Sequence, residues 1–365
     1  MSASKSMKNP HILIAPLDWG LGHATRCIPI IHQLLQQNST VIIAAEGPVK
    51  KLLVAEFPQL SFIPLPGYRI QYAAGKLKLL AKIIIQIPKI IKAIRTEHQW
   101  LHGILKQYDI DAILSDNRYG LYNSKVYSVF ITHQLTIKSP LGKWSEYILR
   151  RINYRFINHF NECWVPDMQG NENLAGELSH PPVMPTVPLR YIGPLSRFAY
   201  QPIYAKKHLL ILLSGPEPQR TILEHILLQQ LQTYTQPVLL VRGLPAATTI
   251  PHMPDNIAIK NHLTADQLQT AMAEAFLIIA RCGYSTVMDV MALRQKGIFI
   301  PTPGQTEQEY LSKHLSQNQY ALCIEQSEFD LATALEAAMH FSYRPFPEYD
   351  NRQLNEYIRD FVSNT

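Results

Sequence analysis

The chain has 365 residues, 47% of them apolar, and a formal net charge of +6. That length holds about two domains, each able to bury a core, and the apolar fraction excludes a disordered chain. The basic balance favours an anionic partner such as a nucleotide, a phospholipid or a nucleic acid. Four scattered cysteines, Cys27, Cys163, Cys282 and Cys323, form no Cys-x-x-Cys pair. This excludes a disulfide framework or zinc ribbon and fits a reduced cytoplasm. No apolar run reaches the roughly 18 residues of a membrane span, and the start of the chain does not read as a signal peptide.

Residues 11–16 predict a buried first strand. The loop Leu17-Asp18-Trp19-Gly20-Leu21-Gly22-His23-Ala24-Thr25-Arg26 follows, then a helix from about Ala24 with Pro29 near its first turn. Strand, Gly-x-Gly loop and helix is the layout of a phosphate or nucleotide site, although the third glycine of a dinucleotide fingerprint is missing. His23, at the helix start, should point into the crevice at the strands' carboxyl ends as a general base; the alternative is a capping role. Asp18 is the second candidate base, or a turn cap. Further strands are expected at 40–45, 60–65, 111–114 and 126–131, and their alternation with helices implies a parallel α/β sheet. Asp116 and Arg118 end one of these strands and His133 follows another. There they would orient a substrate or hold the His23 charge, or belong to plain surface turns.

Residues 76–95 form a basic amphipathic pattern. Lys78, Lys82, Gln86, Lys89 and Lys92 share one stripe, and Leu77, Leu80, Ile83, Ile84, Ile87, Ile90, Ile91 and Ile94 make up a wide apolar face. Such a helix lies on an anionic membrane, or packs on a core with a solvated lysine edge. Residues 138–160 add Lys143, Trp144, Tyr147, Arg150, Arg151, Tyr154 and Arg155, a mixture suited to a lipid interface or to a second cationic helix. Nucleic acid is not expected, because the cations follow apolar faces and no binding motif is present.

Cys163 to Pro166 reads as the last strand before a proline-dense linker. The expected units are residues 1–198, 199–345 and a closing helix in 346–365. In the second unit a strand at 208–213 leads to Ser214-Gly215-Pro216-Glu217-Pro218, where Glu217 would contact a ligand or cap the next helix, and a strand at 238–241 leads to Arg242, which would meet a diphosphate or form a surface salt bridge. A strand at 276–280 then runs into Arg281-Cys282-Gly283-Tyr284-Ser285-Thr286, where a helix begins. Its N-terminus presents free N–H groups to a phosphate, Gly283 permits close approach, and Asp289 lies one turn further in, within reach of a ribose hydroxyl. A strand at 297–301 delivers the turn 302–309, with Gln305, Gln308 and Glu309, to the same edge.

These two loops resemble the donor-binding half of the MurG-like family 28 glycosyltransferases. Arg281, Gly283, Thr286 and Asp289 match that family's Arg-Ser-Gly-x-x-Thr-x-x-Glu loop, with Asp where the family has the ribose-binding Glu. Gln308 and Glu309 fall on its paired Gln positions, which hold the donor sugar. Gly20, Gly22 and His23 match its Gly-x-Gly-His loop, which faces the acceptor, and Arg26 adds a cation for an acceptor phosphate. The resemblance implies a GT-B fold, two Rossmann-like doubly wound domains facing an interdomain cleft, and a terminal helix that crosses back to the first domain. With the residues read from the loops themselves, the expected donor site is Ser214, Gly215, Arg242, Arg281, Gly283, Ser285, Thr286, Asp289, Gln305, Gln308 and Glu309. His23, Asp18 and Asp116 would be the catalytic candidates, and Gly20, Gly22, Arg26, Arg118 and His133 the acceptor side.

The expected reaction is inverting transfer from a nucleotide sugar, most simply UDP-linked, to an acceptor hydroxyl of a lipid or envelope precursor. No cofactor or obligatory metal is implied. The expected place is cytoplasmic, at the inner membrane face. The rivals are a nucleotide-sugar epimerase and a non-catalytic nucleotide-sugar-binding protein.

Overall fold

The computed structural model describes residues 9–68, 76–203, 205–347 and 352–365, and for 76–85 and 87 the backbone alone. The first half runs β1 (His11–Pro16), α1 (Leu21–Gln36), β2 (Thr40–Ala44), α2 (Gly47–Glu56), β3 (Ser61–Ile63) and α3 (Lys76–Ile104). It continues with β4 (Ala112–Asp116), β5 (Tyr127–Ile131), α4 (Lys143–Ile157), β6 (Glu162–Val165) and β7 (Leu189–Tyr191). The second half runs β8 (His208–Leu212), α5 (Gln219–Leu231), β9 (Val238–Val241), β10 (Ile257–Lys260), α6 (Ala265–Glu274) and β11 (Ala275–Arg281). It ends with α7 (Tyr284–Ala292), β12 (Gly297–Ile300), α8 (Thr306–Gln317), β13 (Leu322–Cys323), α9 (Leu331–His340) and α10 (Arg352–Ser363).

Two parallel sheets result, ordered β3-β2-β1-β4-β5-β6-β7 and β10-β9-β8-β11-β12-β13. Their strands are short runs buried on both faces, such as Ile12 to Ala15 and Leu209 to Ile211, the pattern of a sheet covered by helices. In each sheet the strand order reverses once, between β1 and β4 and between β8 and β11. Ligands of open α/β sheets bind at that switch point, beyond the carboxyl ends of the strands. Pro16 pairs with Asp116 and Asp116 with Ile131, so the loops after β1, β4 and β5 leave the sheet side by side. Arg281 pairs with Ile300, which does the same for the loops after β11 and β12.

One apolar core joins the halves. Ile12, Ala24 and Ile28 belong to the same buried cluster as Leu195, Tyr284, Val287 and Met288. Leu354, Ile358 and Phe361, at helical spacing on α10, are buried in it too, and the Phe361 ring meets Trp164 edge-on at 5.4 Å. The final helix therefore lies on the first sheet's side of the molecule, where each such side chain contributes about 1.5–3 kcal/mol of burial.

Two local expectations are corrected, and a third lies largely outside the described side chains. The helix after the Gly-x-Gly loop begins at Leu21, not near Ala24, so Pro29 lies in its interior and leaves the Thr25 carbonyl without its helical donor. The last strand of the first sheet is β7, paired with β6, rather than β6 itself. A Pro-flanked three-residue strand at a sheet edge gives almost no periodic signal. The amphipathic stripe expected at 76–95 lies mainly outside the described side chains, including Lys78 and Lys82. Of the remainder, Lys89 and Lys92 are exposed and Ile94 is buried. Among the described residues no helix is long and apolar enough to cross a membrane.

Candidate functional site

The two carboxyl edges face one another. Gly20, in a left-handed φ of 120°, caps α1, and this places His23 in that helix's first turn. Gly283 caps α7, so Tyr284, Ser285 and Thr286 carry that helix's unpaired N–H groups. The two helix starts touch, with Ser285 Oγ donating to the Gly22 carbonyl at 3.2 Å. A Cβ on Gly22 would sit 2.6 Å from Ser285 Oγ. Neither first turn contains an acidic residue. Two positive helix ends thus converge on one crevice, a setting for an anion. Gly22→Val is expected to hold the two edges apart and lower turnover about tenfold or more, with nucleotide affinity changing less. Parallel steady-state kinetics and calorimetry check it.

A polar chain crosses the crevice. His23 Nδ1 lies 2.8 Å from Asp116 Oδ2. Arg26 donates from Nε to Asp116 Oδ1 at 2.8 Å, and its Nη2 pairs with the same oxygen. Arg26 Nη2 is also 2.8 Å from His23 Nδ1, and Nη1 is 3.2 Å from His133 Nδ1. From the other half, Glu307 Oε1 meets His133 Nε2 at 2.8 Å, and the Tyr284 ring stacks on His133 at 4.1 Å. Arg26, Asp116 and His133 are buried.

Burial, then the Arg26 charge, push the His23 pKa below its ordinary value, and Asp116 opposes them only in part. The start of α1 acts in the same direction. Burial would raise the Asp116 carboxyl, but Arg26 and His23 outweigh it and hold the group below its usual range. His23 is therefore a neutral imidazole beside a carboxylate at pH 7. Its Nε2 takes no hydrogen bond from any described residue. An oriented imidazole with a free ring nitrogen in a crevice can accept a proton from a hydroxyl.

On the opposite edge, Gln308 Oε1 accepts from the Thr302 N–H at 2.9 Å, and Gln308 Nε2 donates to Gln305 Oε1 at 2.5 Å. Glu309 Oε1 accepts from the Gly304 N–H at 2.9 Å. These side chains shape the 302–305 loop. Thr302 Oγ1 is buried without a partner among the described residues, near Gly215, whose φ is +98°. Ser214 is exposed beside it. Asp289 accepts from Ser196 Oγ at 2.7 Å, and burial pushes its carboxyl up to about 6.

Four expected contacts are corrected. Arg118 is buried under the loops, donating to the Pro16 carbonyl at 2.9 Å, the Pro66 carbonyl at 3.2 Å and Glu97 at 2.6 Å; it braces the sheet edge and faces no acceptor. Arg281 is buried too, donating to the Gln219 carbonyl at 2.7 Å and Gln326 Oε1 at 2.6 Å, with its pKa lowered by burial to about 10. It ties β11 to the start of α5 instead of meeting a diphosphate. Arg242 takes the salt-bridge reading and not the diphosphate one, held by Glu224, the Thr249 carbonyl and Asn261. Asp18 accepts from the Tyr68 N–H at 3.0 Å and fixes the loop after β3, whereas His23 pairs with Asp116. The sequence also holds an Asp-x-Asp triplet, Asp109-Ile110-Asp111, at the amino end of β4 and away from the crevice, where Asp111 accepts from the His11 N–H.

Glu307, Tyr284 and Thr302 were not singled out from the sequence. The only hint was their place within the two loops, since a glutamate in a helix's first turn is ordinary dipole compensation.

Residues 220–361 match the family model described as the glycosyltransferase family 28 C-terminal domain. An uncharacterized glycosyltransferase of Methanosarcina acetivorans is 23% identical over 327 residues, covering 80% of this chain and 79% of its own. The crystal structure of the kitacinnamycin glycotransferase superposes with a TM-score of 0.62 at 13% identity, over 98% of this chain and 94% of that one. MurG of Acinetobacter baumannii superposes with a TM-score of 0.58 at 15% identity, over 98% and 100%. At these identities the superpositions speak for the fold.

Proposed function

Given that this chain is a glycosyltransferase of the GT-B fold, carrying a family 28 C-terminal domain over residues 220–361, we propose that it moves a sugar from a nucleoside diphosphate donor, UDP-linked in the simplest case, to an acceptor hydroxyl with inversion. The observation that carries this reading is His23 beside Asp116, with Nε2 unengaged by any described residue, directly across the crevice from the N-terminus of α7. In this reading His23 Nε2 takes the acceptor proton as the acceptor oxygen attacks the anomeric carbon. The nucleoside diphosphate leaves, and its charge develops against the N–H groups of Tyr284, Ser285 and Thr286. Preorganised dipoles of that kind lower a barrier without reorganising. Ser214 and Gly215 approach the nucleotide, Asp289 exchanges Ser196 for a ribose hydroxyl, and Gln305, Gln308 and Glu309 border the sugar. An oriented base beside an anion site favours transfer over a non-catalytic binding protein. An epimerase would have no use for an acceptor surface.

The test is thermal unfolding with a panel of UDP-, TDP-, GDP- and ADP-sugars, in the wild type and in Asp289→Ala. A donor at 100 times its dissociation constant stabilises by about 2.7 kcal/mol. One nucleotide class should raise the midpoint, and the variant should lose most of that shift. A shift unchanged in Asp289→Ala would refute the ribose contact. No shift with any donor would count against the donor site.

The acceptor side supports a lipid substrate. On α4, Trp144, Ile148 and Ile152 follow one another at helical spacing on the outer face, and Trp144 is 64% exposed. Lys143, Arg151 and Arg155 flank them, also exposed. Phe156 of α4 packs in the same small cluster as Ile90, Ala93 and Ile94 of α3, which brings the exposed Ile91, Lys92 and Arg95 alongside. Aromatic and aliphatic side chains ringed by cations suit an anionic bilayer surface. The protein is expected to sediment with vesicles containing phosphatidylglycerol and not with pure phosphatidylcholine. Trp144→Ser with Ile148→Ser should abolish this without altering nucleotide binding, and equal binding to both vesicles would refute the charge argument.

A further inference from the structure

We infer that Glu307 and His133 form a latch between the two halves that assembles the His23–Asp116 pair when the crevice is closed, making both of them positioning residues. This rests on the transfer reading given above. The argument follows from which atoms can donate. Arg26 has donors only. Its Nη1 lies 3.2 Å from His133 Nδ1, so that nitrogen must accept, and the proton of a neutral His133 sits on Nε2. There it donates to Glu307 Oε1 at 2.8 Å. Tyr284 stacks on the same ring, and its hydroxyl is fixed to the Pro166 carbonyl at 2.7 Å. The second half therefore holds His133 from two sides, by the α7 start that faces the leaving group and by the α8 start that borders the donor sugar.

The consequence falls on His23. Its Nδ1 lies 2.8 Å from Asp116 Oδ2, which only accepts, and 2.8 Å from Arg26 Nη2, which only donates. A neutral imidazole satisfies one of them. With Nδ1–H donating to Asp116, Nε2 keeps its lone pair and serves as a base. With Nδ1 accepting from Arg26, Nε2 carries the proton and is inert. The choice depends on where the guanidinium spends its donors. While His133 holds Nη1, Nε and Nη2 rest on Asp116 Oδ1, which leaves Asp116 Oδ2 for His23. Without Glu307, His133 is free to turn or to change tautomer. Arg26 then loses its Nη1 acceptor and shifts toward His23 Nδ1. The groups facing His23 are Arg26 on its own helix, Asp116 at the end of β4, His133 after β5 and Glu307 on α8. The neighbouring Cys27 thiol is kept neutral by burial.

The experiment compares Glu307→Ala, Glu307→Gln and His23→Asn in the full chain, with kcat and donor KM measured across pH. Imidazole 15N shifts of His23, assigned by their loss in His23→Asn, report its tautomer. Glu307→Ala should lower kcat at least about tenfold with donor KM nearly unchanged, and should move His23 from the Nδ1–H to the Nε2–H form. Its acid limb should also move to lower pH, since a negative charge near the imidazolium is lost. Glu307→Gln keeps the acceptor for His133 Nε2–H and should restore kcat and the tautomer. Wild-type kcat and tautomer in Glu307→Ala would overturn the inference, and so would a raised donor KM with kcat intact, which would make Glu307 a sugar contact. Full turnover in His23→Asn would instead overturn the transfer reading itself.

Discussion

Replacing His23 by Asn is expected to lower turnover by about 10²–10⁴-fold, the range for a lost general base, while the donor still raises the unfolding midpoint. The physical basis is the pairing of His23 Nδ1 with Asp116 at 2.8 Å and an Nε2 that no described residue engages. The pH profile adds an independent check. Burial and Arg26 lower the imidazole pKa and Asp116 restores only part, so the neutral, active form persists below the ordinary value near 6.5. Activity should therefore fall as pH drops through a midpoint under 6.5, and Asp116→Asn should lower that midpoint further by removing the anion that favours imidazolium. An acid limb centred above 6.5 would show that Asp116 outweighs burial, and an unchanged rate in His23→Asn would remove the base from this position.

Arg118→Ala should be the most damaging single substitution for stability, costing about 3–5 kcal/mol, the usual result of stranding one partner of a buried ion pair. Arg118 joins three segments: the end of β1 through the Pro16 carbonyl, the loop after β3 through the Pro66 carbonyl, and α3 through Glu97. Its removal leaves the Glu97 carboxylate, among the described residues, with only the Tyr68 hydroxyl at 2.6 Å and the Gly120 N–H at 3.2 Å. Burial already raises the Glu97 pKa despite Arg118, so the orphaned group should take up a proton. Urea unfolding at pH 7 measures the loss. Pairing Arg118→Met with Glu97→Leu should recover much of it, because an apolar pair needs no solvation. If Arg118 bound acceptor instead, Arg118→Ala would raise the acceptor KM and leave the unfolding midpoint in place.

Much of the fold was legible because its signals are local. Apolar runs such as Ile12 to Ala15 and Ile278 to Ala280 mark strands buried on both faces. The Thr264 capping box, in which its side chain accepts from the Gln267 N–H, is a helix start written in neighbouring residues. The Glu217 carboxylate turns to the start of α5, where it accepts from the Thr221 N–H and from Arg220 Nε. The short strand β7 has no such signal, because three residues among prolines carry too little pattern to show a period.

By itself the sequence determined that two strand–glycine loop–helix units exist, one around His23 and one around Gly283. It also determined that these loops lie at the carboxyl edges of parallel sheets, since alternating strand and helix periods admit few other arrangements. Only the tertiary structure decided what each cation does. Arg26, Arg118 and Arg281 all follow or precede a glycine or a strand end and read alike in one dimension. Their roles come from partners distant in the chain, such as Asp116 for Arg26, Glu97 for Arg118 and Gln326 for Arg281. Glu307 reaches His133 across 174 positions. Periodicity records which face of an element is buried. A buried charge depends on desolvation and on the one group that compensates it, and both are fixed only when the two sheets bring their edges together.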